Sequence, residues 1–265
     1  MKQAFFCLTV ATILVGTCIG GDSPLIGTWE FVGTKWVSAD GTPGEWLVAD
    51  HGGRSLKLFT ATHFAVVTHA ADGTFGNAHA GPYTIKGNTF VETIENSSTD
   101  WVGREVPHTF QVEKDMLRNF WGSPGDSTQA EETWRRVSRI QKDHPLIGAW
   151  ELVETTWVHA DGTTREWSVA EVGGRSLKLF TGTHFAVLTH GTDGSFAHAN
   201  AGPYDLAGNA YTEKIENSSV PELPGSEFTH SFTIEKDLLK VSYVHPRTKV
   251  RTEETWRRVK PREGS

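Results

Sequence analysis

The sequence predicts an all-β protein built from two tandem antiparallel β-barrels of about eight or nine strands each. Residues 52–73 recur as residues 173–194 with only four of 22 positions changed, so the chain contains an internal duplication. Turn sequences such as Asp72-Gly73 and Gly87-Asn88 separate short alternating runs in both copies. Beyond the N-terminal segment, no run has the 3.6-residue period of an amphipathic helix.

The ends of the repeated unit define the domain boundaries. The motif Leu-Ile-Gly-x-Trp-Glu opens both units, at residues 25–30 and 146–151, and Glu-Glu-Thr-Trp-Arg-Arg-Val closes them, at residues 131–137 and 253–259. We therefore expect a first barrel over residues 23–138, a linker over 139–143 and a second barrel over 144–260. Closing each run of hairpins into a barrel leaves no unpaired sheet edge.

The composition excludes some partners. Hydrophobic residues make up 37% of the chain and charged residues 22%, which is typical of a globular protein. The formal net charge is −7 and there is no run of Lys or Arg, so we expect no nucleic-acid partner.

The N-terminal segment is typical of export. Lys2 is followed by an apolar run that ends in small residues, which predicts a signal peptide over residues 1–20 and a secreted or periplasmic protein. The run is too short for a membrane span. A lipid anchor at Cys18 is the alternative. Cys7 and Cys18 are the only cysteines, so a chain cleaved after Gly20 has no disulfide.

The paired end motifs resemble those of secreted bacterial lipocalin-like domains of the calycin superfamily. Gly-x-Trp on the first strand and Arg-Arg on the last occur in both units. In that superfamily an arginine from the last strand packs over the first-strand tryptophan and closes one end of the barrel. The units here are shorter than transport lipocalins, and their interior looks polar. The resemblance implies closure by Trp29, Arg135 and Arg136 in the first barrel and by Trp150, Arg257 and Arg258 in the second.

Strand alternation assigns side chains to the two faces of each strand. We expect Lys57 to face water, which turns Leu56, Leu58 and Arg54 inward. Similar patterns place polar groups among apolar ones on later strands. The expected ligand-binding interior comprises Arg54, His63, Tyr83, Glu92, Asn96 and His108 in the first barrel and Arg175, His184, Tyr204, Glu213, Asn217 and His230 in the second.

These groups support three functional hypotheses. The first is a protein that binds a small, partly polar organic ligand in each barrel. The second is a metal-free lyase or isomerase in which Glu92 and Glu213 act as general bases and His108 and His230 as proton donors, because burial raises a carboxyl pKa. The third is a surface interaction module, since residues 98–107 and 219–225 differ between the copies. Alternatively, the polar groups form only an internal network that fixes the strand register.

No metal or cofactor is expected. His63 and His69 lie six residues apart, or about 20 Å along a strand, which is too far to share one ion. His79 aligns with Asn200 and His198 with Asn77, so that candidate ligand changes place between the copies. Hydrolase, phosphate-loop and dinucleotide motifs are absent from the sequence. Homo-oligomerisation stays open.

Overall fold

The structure is a computed structural model that describes residues 23–38, 40–122, 128–137, 143–245 and 248–261. The predicted signal peptide, both cysteines and all but the last residue of the expected linker lie outside these ranges.

The first half forms one ten-stranded antiparallel sheet that closes into a barrel of eight strands. Strands follow one another around the barrel, and the last pairs with the first. Two short strands, β2 and β7, pair with β1 and β5 outside this circuit. The elements are β1 (Gly27–Ser38), β2 (Pro43–Leu47), α1 (Val48–His51), β3 (Arg54–Phe59), β4 (His63–His69), β5 (Phe75–Lys86), β6 (Thr89–Thr93), β7 (Asn96–Ser97), β8 (Glu105–Glu113), β9 (Met116–Trp121) and β10 (Thr128–Arg136).

The second half repeats this topology element by element. It closes through pairing of its first and last strands and carries two equivalent extra strands, β12 and β17. The elements are β11 (Gly148–Val158), β12 (Thr164–Ser168), α2 (Val169–Val172), β13 (Arg175–Phe180), β14 (His184–His190), β15 (Phe196–Ala207), β16 (Ala210–Lys214), β17 (Asn217–Ser218), β18 (Glu227–Glu235), β19 (Leu238–Val244) and β20 (Arg251–Arg258).

The predicted fold class is confirmed. Two closed, eight-stranded, up-and-down barrels in tandem fit the lipocalin-like duplication that the repeated end motifs indicated. The described residues contain only two helices, α1 and α2, each of four residues.

The two barrels pack face to face through one apolar cluster. Strands β3, β4 and β5 of the first barrel contribute alternate side chains, and β13, β14 and β15 of the second contribute the equivalent ones. We call this cluster the barrel interface. Its buried members are Leu56, Leu58, Ala65, Val67, Ala78, Ala80, Ala149, Leu177, Leu179, Ala186, Leu188, Ala199 and Ala201.

Several contacts around the barrel interface occur in equivalent pairs. The ring of His69 lies against the backbone of Ser218, with Nε2 2.8 Å from the carbonyl oxygen, and His190 lies against Ser97 with the corresponding separation of 3.0 Å. Phe75 and Phe196 stack with their ring centroids 5.7 Å apart. The two barrels are thus related by an approximate two-fold axis, as in an isologous dimer.

This packing overturns the face assignment of β3 and β4. Lys57 was expected to face water, but it is 2% exposed and lies inside the barrel. Leu56 and Leu58 point outward into the barrel interface. The sequence pattern predicts that the leucine face lies inside and the lysine face outside, whereas in this molecule both faces of the strand are buried.

Candidate functional site

A buried lysine, glutamate and histidine meet inside the first barrel. Lys57 Nζ on β3 lies 2.8 Å from Glu92 Oε1 on β6. His108 Nε2, on β8, lies 3.3 Å from the other carboxylate oxygen of Glu92. All three side chains are at least 95% buried. Because β6 pairs with β8 in a register that sets Phe90 opposite His108, the imidazole also stacks on the Phe90 ring.

The second barrel contains the same cluster. Lys178 Nζ lies 2.7 Å from Glu213 Oε1, and His230 Nε2 lies 3.3 Å from Glu213 Oε2. The His230 ring stacks on Tyr211, with the centroids 4.7 Å apart. Two copies of one sequence element have therefore kept the same internal ion pair.

Each buried lysine lowers the pKa of its glutamate, whereas the sequence analysis predicts a raised pKa. Burial by itself raises the pKa of Glu92, but the Lys57 ammonium and the His108 imidazole outweigh burial and hold the pKa well below its usual range. The same balance lowers the pKa of Glu213 to about 2. The sequence-based expectation of a raised carboxyl pKa is wrong because it placed Lys57 in water.

Each ammonium is also surrounded by aromatic rings. Lys57 Nζ lies 5.3 Å from the ring centroid of Trp134 and 5.5 Å from that of Phe90. Lys178 Nζ lies 5.4 Å from the Trp256 centroid and 5.7 Å from that of Tyr211. The ring faces contribute cation–π attraction, which offsets part of the cost of burying the charge.

A second glutamate faces the interior from the last strand of each barrel. In the first barrel, Glu132 accepts three hydrogen bonds: from Asn119 Nδ2 at 3.1 Å, from Trp121 Nε1 at 3.2 Å and from Trp134 Nε1 at 3.0 Å. In the second barrel, Glu254 accepts one from Trp256 Nε1 at 2.9 Å. Val241 and Tyr243 stand where the first barrel has Asn119 and Trp121.

Each barrel has a cavity beside these groups, and both cavities are open to solvent on one side. The first has a volume of about 280 Å³ and touches Lys57, Glu92, His108 and Glu132. The second, of about 630 Å³, touches the equivalent Lys178, Glu213, His230 and Glu254. The aromatic residues that line them are Phe31, Trp46, Trp101, Trp121 and Trp134 in the first cavity and Trp157, Trp167, Phe228, Tyr243 and Trp256 in the second.

A further histidine lines each cavity from β5 or β15. Burial lowers the pKa of His79 to about 4, and it also lowers the pKa of His198. Asn77 and Asn200 line the same cavities. Each barrel therefore has one histidine and one asparagine at these two positions, in opposite order, and both side chains line its cavity.

Arg54 and Arg175 do not lie among the interior groups. The Arg54 guanidinium reaches the edge of the first cavity, but it is held at the barrel interface by Glu30 and by Glu216 of the other barrel. Arg175 pairs in the same way with Glu151 and with Glu95 of the first barrel. Each arginine shares the outward face of its strand with the interface leucines.

Three other pairs of predicted interior residues also lie away from the cavities. His63 and His184, at the start of their strands, contact Thr62 and Thr183. Tyr83 and Tyr204 donate their hydroxyl hydrogens to the carbonyls of Thr60 and Thr181, and burial raises the pKa of Tyr83 to about 12. Asn217 donates to the Val67 carbonyl across the barrel interface, and Asn96 is the equivalent buried residue.

The last-strand arginines have different positions within each Arg-Arg pair. Arg136 stacks over the Trp29 ring at 4.0 Å and donates to the carbonyl of Ile26, and Arg258 covers Trp150 at the same distance. Arg135 points outward and pairs with Glu30, and Arg257 is exposed. One arginine of each pair therefore covers the indole.

Sequence reasoning placed Glu92, His108, Glu213 and His230 correctly inside and missed four pairs of residues. These are Lys57 and Lys178, Glu132 and Glu254, His79 and His198, and the cavity-facing Trp134 and Trp256. One signal was present: in Glu-Glu-Thr-Trp, the second glutamate shares the face of the inward tryptophan two residues later.

Among the described residues, no group of three or more His, Cys, Asp or Glu side chains is arranged to hold a metal ion. None of the described helices has the length and apolarity needed to cross a membrane.

Residues 145–264, which contain the second barrel, match a family model described as a domain of unknown function (DUF4488). No curated protein matches the chain.

Three solved structures are similar at low identity. A lipocalin-like protein from Bacteroides uniformis ATCC 8492 is 18% identical, with a TM-score of 0.31 over 43% of this chain and 98% of its own. A mutant of transferrin binding protein B from Haemophilus parasuis Hp5 is 7% identical, with a TM-score of 0.27 over 88% and 76%. Intact Ap-TbpB, with its N and C lobes, is 8% identical, with a TM-score of 0.26 over the same shares.

Proposed function

We propose that the protein binds a small, partly polar organic ligand inside its barrels. The observation that carries this proposal is the pair of solvent-open cavities, each lined by aromatic rings and by the Lys–Glu–His cluster. Ligand cavities in proteins are mostly apolar, with a few placed polar groups, and have volumes of about 300–1,000 Å³. The second cavity lies within that range and the first just below it.

The enzyme hypothesis has less support. A general base near neutral pH needs a carboxyl pKa close to the working pH. Lys57 and Lys178 instead lower the pKa values of Glu92 and Glu213. In addition, Tyr83 and Tyr204 stand opposite the two glutamates, but their hydroxyls donate to the carbonyls of Thr60 and Thr181. The cluster is better suited to a fixed, charged cavity floor than to proton transfer.

Native mass spectrometry against a panel of small organic molecules tests binding. We expect a mass shift with wild-type protein and the loss of one bound ligand in Thr189→Phe, because Thr189 lines the larger cavity and a phenyl ring fills it. Thr229→Phe, on the exposed face of β18, is the matched control and should bind as wild type does. The proposal is contradicted if no member of the panel binds to the wild-type protein, or if Thr189→Phe and Thr229→Phe bind equally well.

Export is part of the same proposal. A binding protein that acts outside the cytoplasm requires the signal segment predicted over residues 1–20, which lies outside the described residues. Intact mass of the protein recovered from its native host should correspond to a chain that begins near Gly21. A mass that includes residue 1 contradicts export by cleavage, and an added acyl mass at Cys18 identifies the lipid-anchored alternative.

A further inference from the structure

The two barrels differ in how they satisfy their second glutamate. Glu132 accepts hydrogen bonds from N–H donors of three side chains of its own barrel. Glu254 has the same position on the last strand and is also partly buried, but only Trp256 donates to it among the described residues. A carboxylate offers about four acceptor sites, so Glu254 has room for further donors.

The second barrel lacks two donors because Val241 stands in place of Asn119 and Tyr243 in place of Trp121. In the first barrel, the amide nitrogen of Asn119 lies 3.1 Å from Glu132 Oε2 and 3.3 Å from His108 Nδ1, so one nitrogen serves both acceptors. In the second barrel the equivalent residue is Val241, which has no N–H. His230 Nδ1 consequently has no hydrogen-bond partner among the described residues, although His230 is only 4% exposed.

The charges in the second cavity are also unequal. The ionised side chains that line it are Lys178, Glu213 and Glu254. Lys178 lies against Glu213, so these three ionised side chains leave one net negative charge in the cavity. A cationic ligand restores neutrality there, whereas an anionic one adds like charge in a low-dielectric space.

The walls are suited to such a cation. Tyr243 and Trp256 flank the cluster, and Trp157, Trp167 and Phe228 line the remaining space. Tyr243 is the smaller replacement for Trp121, and the second cavity is larger, at about 630 Å³ against about 280 Å³. Aromatic faces attract ammonium groups and also accommodate an apolar ligand body.

We propose that the second barrel is the principal binding site and that it takes a small organic amine, whose ammonium group binds Glu254 beside His230. The amine supplies the N–H donors that Asn119 and Trp121 supply in the first barrel. The inference depends on the proposed ligand-binding function and adds the class of ligand and the barrel that holds it.

Isothermal titration calorimetry with three matched probes tests the ligand class. The probes are 2-phenylethylamine, neutral 2-phenylacetamide and anionic phenylacetate at pH 7.5. Wild-type protein is expected to bind one amine per chain, at least tenfold more tightly than either of the other probes. Equal or tighter binding of the amide or the carboxylate overturns the amine proposal.

Variants that introduce residues of the first barrel at the equivalent positions of the second barrel test the location of the site. Val241→Asn supplies the amide donor, and Tyr243→Trp supplies the indole donor, so each should weaken amine binding at least tenfold. Glu254→Gln should do the same through loss of the charge. The control is Glu253→Gln, an adjacent glutamate that is exposed and paired with Arg251, and its affinity should stay within twofold of wild type.

The outcomes separate the two proposals. If the amide or carboxylate binds and Thr189→Phe abolishes that binding, the barrel is a ligand site and only the amine inference fails. If the amine binds equally to wild type, Glu254→Gln and Tyr243→Trp, the site is not at Glu254 and the inference fails. If no probe and no member of the wider panel binds, both proposals fail together.

Discussion

Lys57 holds a charge that the interior tolerates only because Glu92 lies 2.8 Å away. Lys57→Met keeps the length of the side chain and removes the ammonium, so Glu92 is left buried without its compensating cation. We expect a loss of about 3–5 kcal/mol in the free energy of unfolding, which is the usual cost of breaking a buried pair from one side. Urea denaturation monitored by tryptophan fluorescence measures this loss.

Two further variants define the cause. Lys35→Met removes an exposed lysine that is paired with Glu45, and it should cost less than about 1 kcal/mol. The double variant Lys57→Met/Glu92→Gln removes both charges and should recover part of the stability lost in the single variant. A single variant as stable as wild type, or a double variant less stable than the single, contradicts a compensating role for Lys57.

Acidification should destabilise the protein through groups whose pKa values are lowered by folding. The unfolded chain binds more protons than the folded one between the two pKa values of each group, so stability rises with pH there. For His79 the window runs from the ordinary histidine pKa of 6.5 down to about 4, and for Glu213 from the ordinary glutamate pKa of 4.5 down to about 2. The contribution of these two groups to the free energy of unfolding is therefore complete above about pH 6.5 and is lost in two stages below it.

His79→Asn isolates the first stage. Asn200 occupies the equivalent position in the second barrel, so the substitution is compatible with the fold. Between pH 7 and pH 4, we expect the free energy of unfolding of wild type to fall by about 1–2 kcal/mol more than that of the variant. This is less than the full pKa shift of His79 implies, because one side of the ring faces the cavity, where solvent screens the charge. Urea midpoints at pH 7, 5.5 and 4 measure the difference. Parallel pH profiles for the two proteins are the contrary result.

Strand β3 shows what alternation predicts and what it does not. Alternation correctly separated Leu56 and Leu58 from Lys57, and it placed Glu92 and His108 on one face. It does not say which face is inside, because a strand between a barrel interior and a second barrel buries both faces. The prediction assumes that a charged side chain is exposed to solvent. This assumption fails for Lys57 because its buried carboxylate partner lies 35 residues away in the chain.

The hairpins were better predicted than the faces because their signals are local. Turn residues fix each reversal over a few positions, and the repeat supplies every signal twice. Cavity size, in contrast, depends on which side chains meet across strands distant in sequence. No local pattern shows that Val241 leaves His230 without the donor that Asn119 gives His108.

Strand β5 changes pairing partner at Gly81. Before this residue β5 pairs with β7, and after it β5 pairs with β6. A Cβ atom on Gly81 would lie 1.9 Å from the Thr93 carbonyl oxygen, and Gly202 has the same relation to Lys214. Both sites require a residue without a side chain because the neighbouring atom belongs to the backbone and cannot rotate away.

Gly81→Ala should therefore destabilise the protein by about 2–3 kcal/mol, since β5 or β6 must shift to relieve the overlap. Gly73→Ala is the control. A Cβ at Gly73 meets nothing within 4 Å, so that variant bears only the cost of its positive φ, about 1 kcal/mol. Thermal unfolding by circular dichroism compares the two, and a Gly81 variant no less stable than the Gly73 variant contradicts the close approach.

The barrel interface makes one folding unit of two similar halves. Each half contributes leucines, a His that contacts a serine backbone and an Arg that pairs with a glutamate of the other half. Each barrel therefore carries both members of these contacts. A barrel on its own exposes an apolar face that is complementary to a second copy of itself.

An isolated second barrel, residues 143–261, is accordingly expected to form a homodimer at micromolar concentration. Its Arg175 would meet Glu216 of the other copy in place of Glu95, and its His190 would meet Ser218 in place of Ser97. Light scattering after size exclusion measures the mass. Leu188→Lys places a charge in the centre of this face and should shift the isolated barrel to monomer. In the full chain, the same face is already covered by the first barrel, so dimerisation through it should be absent. A soluble, monomeric wild-type barrel would show that the apolar face does not specify its own pairing.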